Sequence, residues 1–299
     1  MSREQRPGRA GTRTALTIAG SDSGGGAGIQ ADLKAFARCG VHGTSAITAI
    51  TAQNTVGVTA IHEVPPQIVL AQVRAVLSDI RVDAVKVGML GTAAVTLAVA
   101  QALDELPAGT PVVVDPVMVA ESGASLLDED AQDALISEIL PRASVLTPNM
   151  PEARTLVARA GVTPAGVAPA REQHAGEQSG ADEDAEAEAL ARALLALGPP
   201  IVVLTGGHRK RAVDLFVDSA DARTVVEIDG VRHPDGAAHG SGCTHSSVLA
   251  AQLALGHTPL DAARTARRLA GDAVAGALRD IGAGAGPVDV LALGRLCDC

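Results

Sequence analysis

The chain has 299 residues, of which 47% are hydrophobic, with a formal charge of −10, no Trp, no Tyr and only two Phe. So few rings exclude aromatic stacking as a binding strategy, and with the acidic balance they argue against single-stranded nucleic acid, which needs stacking platforms in a basic groove. Much of the charge is local: seven acids and no Lys or Arg stand between Glu172 and Glu188, and without them the net charge is −3.

Cysteines at 39, 243, 297 and 299 share no zinc-type spacing and suggest no secreted disulfide framework, so a reducing, cytoplasmic location is expected. The Arg-bearing stretch 1–13 has no signal-type apolar segment behind it, and no run approaches a membrane span. Residues 1–13 and 294–299 read as tails. In chain order the patterns predict strand 15–19, helix 29–38, strand 45–49, helix 67–77, strand 84–87, helix 92–103, strand 112–114 and helix 129–140. There follow strand 145–147, helices 151–159 and 187–197, strands 201–205, 213–217 and 225–228, and helices 242–255 and 261–278. Such alternation argues for a mostly parallel sheet covered on both faces by helices. The runs near residues 85, 113, 146 and 203 are almost unbroken apolar stretches, as strands buried on both faces should be. No composition break divides residues 14–293, which read as one domain. Residues 161–184, rich in Ala, Gly, Pro, Gln and acids without a core period, read as a disordered surface insertion.

Ligands of an open parallel sheet collect beyond the carboxyl ends of its strands. Unusual residues stand at five such ends: the glycine loop 20–28, Gly88-Met89-Leu90-Gly91, Asp115-Pro-Val-Met118, Pro148-Asn149-Met-Pro-Glu152 and Gly206-Gly207-His208. A sixth feature is His239-Gly-Ser-Gly-Cys-Thr244, where Gly240 and Gly242 allow the amides of 240–244 to converge on one point ahead of a helix. That geometry binds anions, although a plain glycine-rich helix entry has the same composition. The familiar rival motifs are missing, since there is no Walker A loop, no G-x-G-x-x-G after the first strand, no G-x-S-x-G and no H-E-x-x-H.

Several residues carry two readings. Asp32 fits either a ligand contact or a helix-start acid beside the dipole. Gln53 and Asn54 could read the edge of a heterocycle or form a turn. Glu152 could hold magnesium through water or simply open a helix, and Asp115 could join it or start a turn before Pro116. His208, His239, His245 and Cys243 have no zinc-ligand spacing. The loop 24–28 suits a flexible lid or a close approach to a small substrate.

Taken together, the stretches 18–36 (IAGSDSGGGAGIQADLKAF), 50–58, 85–92 (VKVGMLGT), 113–123 (VVDPVMVAESG), 146–153 (LTPNMPEA), 203–208 (VLTGGH) and 239–244 (HGSGCT) resemble the bifunctional hydroxymethylpyrimidine/phosphomethylpyrimidine kinases of the ribokinase-like superfamily. The resemblance runs collinearly from about residue 14 to 290. It implies a three-layer α/β/α fold with a mostly parallel central sheet, ATP and Mg²⁺, and two successive phosphorylations of 4-amino-5-hydroxymethyl-2-methylpyrimidine in thiamine biosynthesis. A vitamin B6 kinase of the same superfamily is the near alternative, and a non-catalytic nucleotide or metabolite sensor the distant one. The implied partners are the small pyrimidine and a second copy in a homodimer, with no nucleic acid and no membrane.

Residue by residue, the resemblance implies pyrimidine contacts from Gly20, Ala27, Asp32, Gln53, Met89 and Val117. It implies magnesium and phosphate roles for Asp115, Asn149 and Glu152, nucleotide contacts from Thr205 and Gly207, and an oxyanion role for Gly240, Ser241 and Gly242. Cys243 stands where many ribokinase-like sugar kinases carry an aspartate base, and its place at a helix N-terminus predicts a lowered thiol pKa. This chain departs from the pattern at Ser241 for Thr, at His245 for an aliphatic residue, at 235–238 for Lys-Asn-Thr, and at 282–287, which lacks basic side chains. Those departures predict thin positive charge near the phosphates.

Overall fold

Strands whose successive side chains are all apolar need cover on both faces, and the fold supplies it. The structure is a computed structural model that describes residues 11–119, 123, 126–164, 180–233 and 237–294. Most of both predicted tails (1–10 and 295–299, with Cys297 and Cys299), residues 165–179 of the predicted insertion and residues 234–236 lie outside the described residues.

The strands are β1 (Thr14–Asp22), β2 (His42–Asn54), β3 (Gly57–Glu63), β4 (Ala84–Val87), β5 (Val112–Val114), β6 (Val145–Leu146), β7 (Ile201–Leu204), β8 (Val213–Asp218) and β9 (Val225–Asp229). They form one nine-stranded sheet in the order β3-β2-β1-β4-β5-β6-β7-β8-β9. Pairing is parallel from β2 to β7, while β3, β8 and β9 join antiparallel. Side chains alternate between two cores with the period of a strand. Leu16, Ile18, Val85, Val87, Val112, Val114, Val202 and Leu204 meet α2 (Pro66–Asp79), α3 (Ala93–Asp104), α4 (Glu129–Ala134), α5 (Met150–Arg159) and α6 (Gly180–Leu195) on one face. Ala15, Ala84, Val113, Val145, Ile201 and Val203 meet α1 (Gly28–Arg38), α7 (Ser241–Ala254) and α8 (Pro259–Ala275) on the other. The result is the expected three-layer α/β/α arrangement.

Helix α7 is the central element of the second face. Ten of its residues, from Thr244 to Ala254, are buried. Its small side chains, with Ala262, Ala263, Ala266, Ala270 and Ala273 of α8, allow the two helices to pack closely.

The structure corrects the sequence reading at three places. Strand β2 runs well beyond the predicted 45–49 and pairs with β3, which was not predicted. Residues Thr59 to Glu63 of β3 are exposed, so no hydrophobic alternation marks them. The predicted helix 129–140 ends as α4 at Ala134 and continues as a π-helical turn, Leu135–Ile139, and a 3₁₀ turn with Pro141.

Helix α6 begins at Gly180, inside the region read as an insertion. Its acids are structural: Glu183 accepts from the Lys210 amide (2.9 Å), Asp184 bonds Arg209 and Arg211, and Glu186 bonds Arg154 (2.7 Å). The Arg209 side chain is fully buried. Asp184→Ala would leave that guanidinium short of its anionic acceptor, a loss of roughly 1–3 kcal/mol. A lower denaturant midpoint with an unchanged slope is the expected result.

Candidate active site

Beyond the carboxyl ends of β1, β4, β5, β6 and β7 lies a cavity of about 440 Å³, closed on one side by the N-terminus of α7. Gly20, Ala27, Gln53, Met89 and Val117 line it toward β1, β2 and β4, and Thr205 and Gly207 line it toward β7. Asp115, Asn149, Glu152, Gly240, Ser241, Gly242 and Cys243 line the stretch between. Ala212, Val231, Ala270, Gly271 and Val274 add an apolar wall at the β7 end.

Asp32 is the exception among the sequence-predicted site residues. It is wholly buried in α1, off the cavity lining, and lies past the first turn of that helix. Its carboxylate accepts from Thr17 (2.6 Å), Ser247 (2.6 Å) and Lys86 (2.9 Å).

Helix α7 starts without a side-chain cap, at Gly240 with φ of 83°. A Cβ there would run into the Gly26 carbonyl, so only glycine brings the two loops this close. The Ser241 amide is spent on Ala238 O (2.9 Å) and that of Thr244 on Gly240 O (2.9 Å). Among the described residues the N–H groups of Gly240, Gly242 and Cys243 find no acceptor. The anion hole is therefore narrower than the five amides expected from the sequence, but its donors are free and lie at the positive end of a helix.

Beneath these amides is a buried charge cluster that sequence reasoning missed. Lys86, in the middle of β4, is fully buried, with Nζ 2.9 Å from Asp32 and 3.7 Å from Asp115. A lysine interrupting a valine strand was the available signal. Burial alone would push its ammonium down, but the charges of Asp32, Cys243 and Asp115 outweigh that and hold it above its ordinary value. Asp115 accepts from Ser246 (3.0 Å), and burial raises its carboxyl despite Lys86.

Burial pushes the Cys243 thiol up to about 12, with Lys86 pulling down and the two aspartates pushing up. The lowered pKa expected at a helix N-terminus is thus overturned by desolvation, and the substrate-free sulfur keeps its proton.

Of the two readings of Glu152, the helix-opening one holds. It closes a capping box with Asn149 at the start of α5, each accepting from the other's amide at 2.9 Å, and it also faces the cavity. Burial and the neighbouring Asp115 raise it to about 8.

Two histidine–aspartate pairs complete the lining. Asp22 accepts from Gly24 (2.7 Å), Gly26 (2.9 Å) and Ala27 (2.8 Å), and from His239 Nε2 at 3.1 Å. The glycine loop, read from sequence as a flexible lid or a close approach to a small substrate, is wrapped around this carboxylate, and its Ala27 and Gly28 line the cavity. Burial works to raise Asp22, but the His239 and loop N–H bonds hold it below its usual range. His245 Nε2 lies 3.0 Å from Asp214 Oδ2, and Asp214 Oδ1 accepts from Gly206 (2.8 Å) with Arg267 at 3.7 Å. The cavity also receives Lys86, Arg267 and Arg232. The first two are paired with carboxylates, while Arg232 has only the Arg209 carbonyl among the described residues. That leaves few uncommitted cations.

The known proteins that resemble this chain match most of its length. The family model described as phosphomethylpyrimidine kinase matches residues 22–289. The hydroxymethylpyrimidine/phosphomethylpyrimidine kinase of Rhizobium meliloti is 45% identical over 280 residues, covering 93% of this chain and 96% of the relative. Among solved structures, the phosphomethylpyrimidine kinase of Clostridium difficile superposes with a TM-score of 0.68 at 35% identity, covering 86% of this chain and 97% of that one. A pyridoxal kinase from Staphylococcus aureus, in complex with AMP-PCP and pyridoxal, gives 0.76 at 29% identity with 96% of each chain covered. Sequence motifs, sheet order and strand-end cavity converge with these matches, and the chain belongs to the phosphomethylpyrimidine kinase family.

Proposed function

We propose that this protein transfers the γ-phosphoryl group of ATP to the hydroxymethyl oxygen of 4-amino-5-hydroxymethyl-2-methylpyrimidine, and then a second one to the monophosphate, giving the diphosphate used in thiamine biosynthesis. The observation that carries the reading is the lining itself, in which one thiol and three amides without an acceptor among the described residues lie between an end lined by Gly20, Ala27, Gln53 and Met89 and an end lined by Thr205 and Gly207. At the first end Gln53 reads the ring edge. Its side-chain amide lies 3.1 Å from the Thr51 hydroxyl, whose one proton also has the Ser21 carbonyl at 2.9 Å, and Gln53 lines the cavity where the ring would lie. At the other end Thr205 and Gly207 receive the nucleotide.

In-line phosphoryl transfer asks the protein for positioning and charge stabilisation more than for covalent chemistry. The amides of Gly240, Gly242 and Cys243 stabilise the transferring oxygens. Cys243 takes the hydroxymethyl proton as the new O–P bond forms and ADP leaves. For that the thiol must first ionise, which Lys86 favours and Asp115 opposes.

The donor set fits Mg²⁺: Asp115 and Glu152 both face the cavity, the charge of Asp115 raises the proton affinity of Glu152, and both offer only oxygen. When bound there, the ion neutralises charge on the phosphates. A raised Glu152 means that ion binding must displace a proton. The apparent Mg²⁺ affinity, titrated with AMP-PCP present, should rise by about tenfold per pH unit below 8 and flatten above, and Glu152→Gln should lose the slope. In the ion-free protein the same residue lowers stability as pH climbs from the ordinary carboxylate range toward 8, because the folded state holds the proton more tightly.

Mass spectrometry of products after incubation with ATP, Mg²⁺ and the pyrimidine alcohol or pyridoxal tests the reading. Mono- and diphosphorylated pyrimidine is the expected result. Phosphorylated pyridoxal with untouched pyrimidine would favour the vitamin B6 alternative, for which the Staphylococcus aureus likeness speaks.

A further inference from the structure

On either side of the first turn of α7, a histidine reaches across to an aspartate on another element. His239 precedes the helix and holds Asp22 at the end of β1, while His245 lies in its second turn and holds Asp214 in β8. Each aspartate is a hub for one loop. Asp22 gathers the amides of Gly24, Gly26 and Ala27, and Asp214 gathers the amide of Gly206. The pairs are shielded from water, with side-chain exposures of 13% and 3% for the first and 5% and 0% for the second, so each bond is stronger than a surface bond. The first contact is also shaped sterically, because a Cβ on Gly26 would strike the His239 ring.

We propose that His239 and His245 are positioning residues, fixing respectively the pyrimidine-side loop 22–28 and the nucleotide-side loop 205–207 against the phosphoryl-transfer end of α7. The inference rests on the assignment of the two cavity ends given above. It gives a role to a histidine buried in the second turn of α7. Without its pair, each loop keeps its backbone ties but loses the anchor that sets its distance from the free amides.

The two clamps act on different loops, so their kinetic signatures separate. An asparagine amide stops where imidazole Nδ1 stands and cannot reach the aspartate, whereas a glutamine amide arrives where Nε2 stood. In the full chain, His239→Asn should raise KM for the pyrimidine alcohol by about tenfold or more, leaving KM for ATP within about twofold, the order that one lost hydrogen bond to a charged group allows. His245→Asn should do the reverse, and each Gln variant should return its own KM to within about threefold of the parent, since it restores the bond. Should His245→Asn fail to fold, Asp214→Asn, which keeps the shape and weakens the same bond, carries the nucleotide arm. The proposal falls if both KM values move together, or if neither moves while only the thermal midpoint drops. A reversed pattern, with His239→Asn acting on ATP alone, would overturn the assignment of the cavity ends and the proposal with it.

Discussion

Cys243→Ala should lower kcat of the first phosphorylation by about 10²–10⁴-fold, the contribution usual for a positioned proton acceptor, with KM for both substrates nearly unchanged. The residue lines the cavity at the first turn of α7, and its own amide is one of the three unspent donors. The substitution removes the sulfur and keeps that amide, so a fall in kcat isolates proton transfer from anion binding. The thiol pushed up to about 12 sharpens the test, because little thiolate exists at neutral pH and turnover must draw on a minor species. The observed rate should accordingly climb with pH through the neutral range in the parent and lose that climb in Cys243→Ala. Near-parental turnover would make the sulfur a bystander and leave catalysis to the amides and the metal. Cys243→Asp adds a second comparison. A permanently charged carboxylate repels a phosphorylated substrate in a way a neutral thiol does not, so the second step should suffer more than the first, and an unchanged ratio of the two rates would contradict this.

What the sequence made legible was whatever leaves a local trace. Parallel strands buried on both faces are apolar runs, and strand-end motifs carry glycine, proline and acids that break the helical and strand periods. The layered fold and the strand-end part of the cavity lining could therefore be read from residue order, whereas Lys86, Asp214 and the α8 wall of Arg267, Ala270, Gly271 and Val274 could not. Strand β3 was invisible because an exposed edge strand such as Thr59–Glu63 has no buried face to impose alternation. The start of α6 was missed because Glu183 and Asp184 read as a solvated charge run until their partners Lys210, Arg209 and Arg211 are brought to them by the fold. The partners of Asp32 were hidden for the same reason: helix position is local, but the distance from Asp32 to Lys86, Thr17 and Ser247 is not. The pKa of Cys243 was misjudged in sign because helix-end stabilisation is visible in sequence and desolvation is not.

Lys86 is where those hidden long-range terms matter most. Lys86→Met should destabilise the fold by roughly 3–5 kcal/mol, the range for breaking a buried ion pair by removing one partner. The methionine matches the length of the lysine stem, so little of the loss can come from packing. What remains is Asp32 with two hydroxyl donors and no cation, and Asp115 with one hydroxyl and a raised carboxyl. Asp115, whose carboxyl burial already raises, would then be forced further toward protonation. A double variant, Lys86→Met with Asp32→Leu, removes the stranded charge along with its partner and should recover more than half of the lost stability, since buried pairs are commonly replaceable by apolar residues at small cost. Activity should not follow. The restored protein still lacks the ammonium that favours ionisation of Cys243, so kcat should stay far below the parent while the denaturant midpoint returns. If the single variant unfolds at the parental midpoint, the ammonium is not what balances the acids. If the double variant regains activity together with stability, Lys86 serves the fold alone and Cys243 ionises without it.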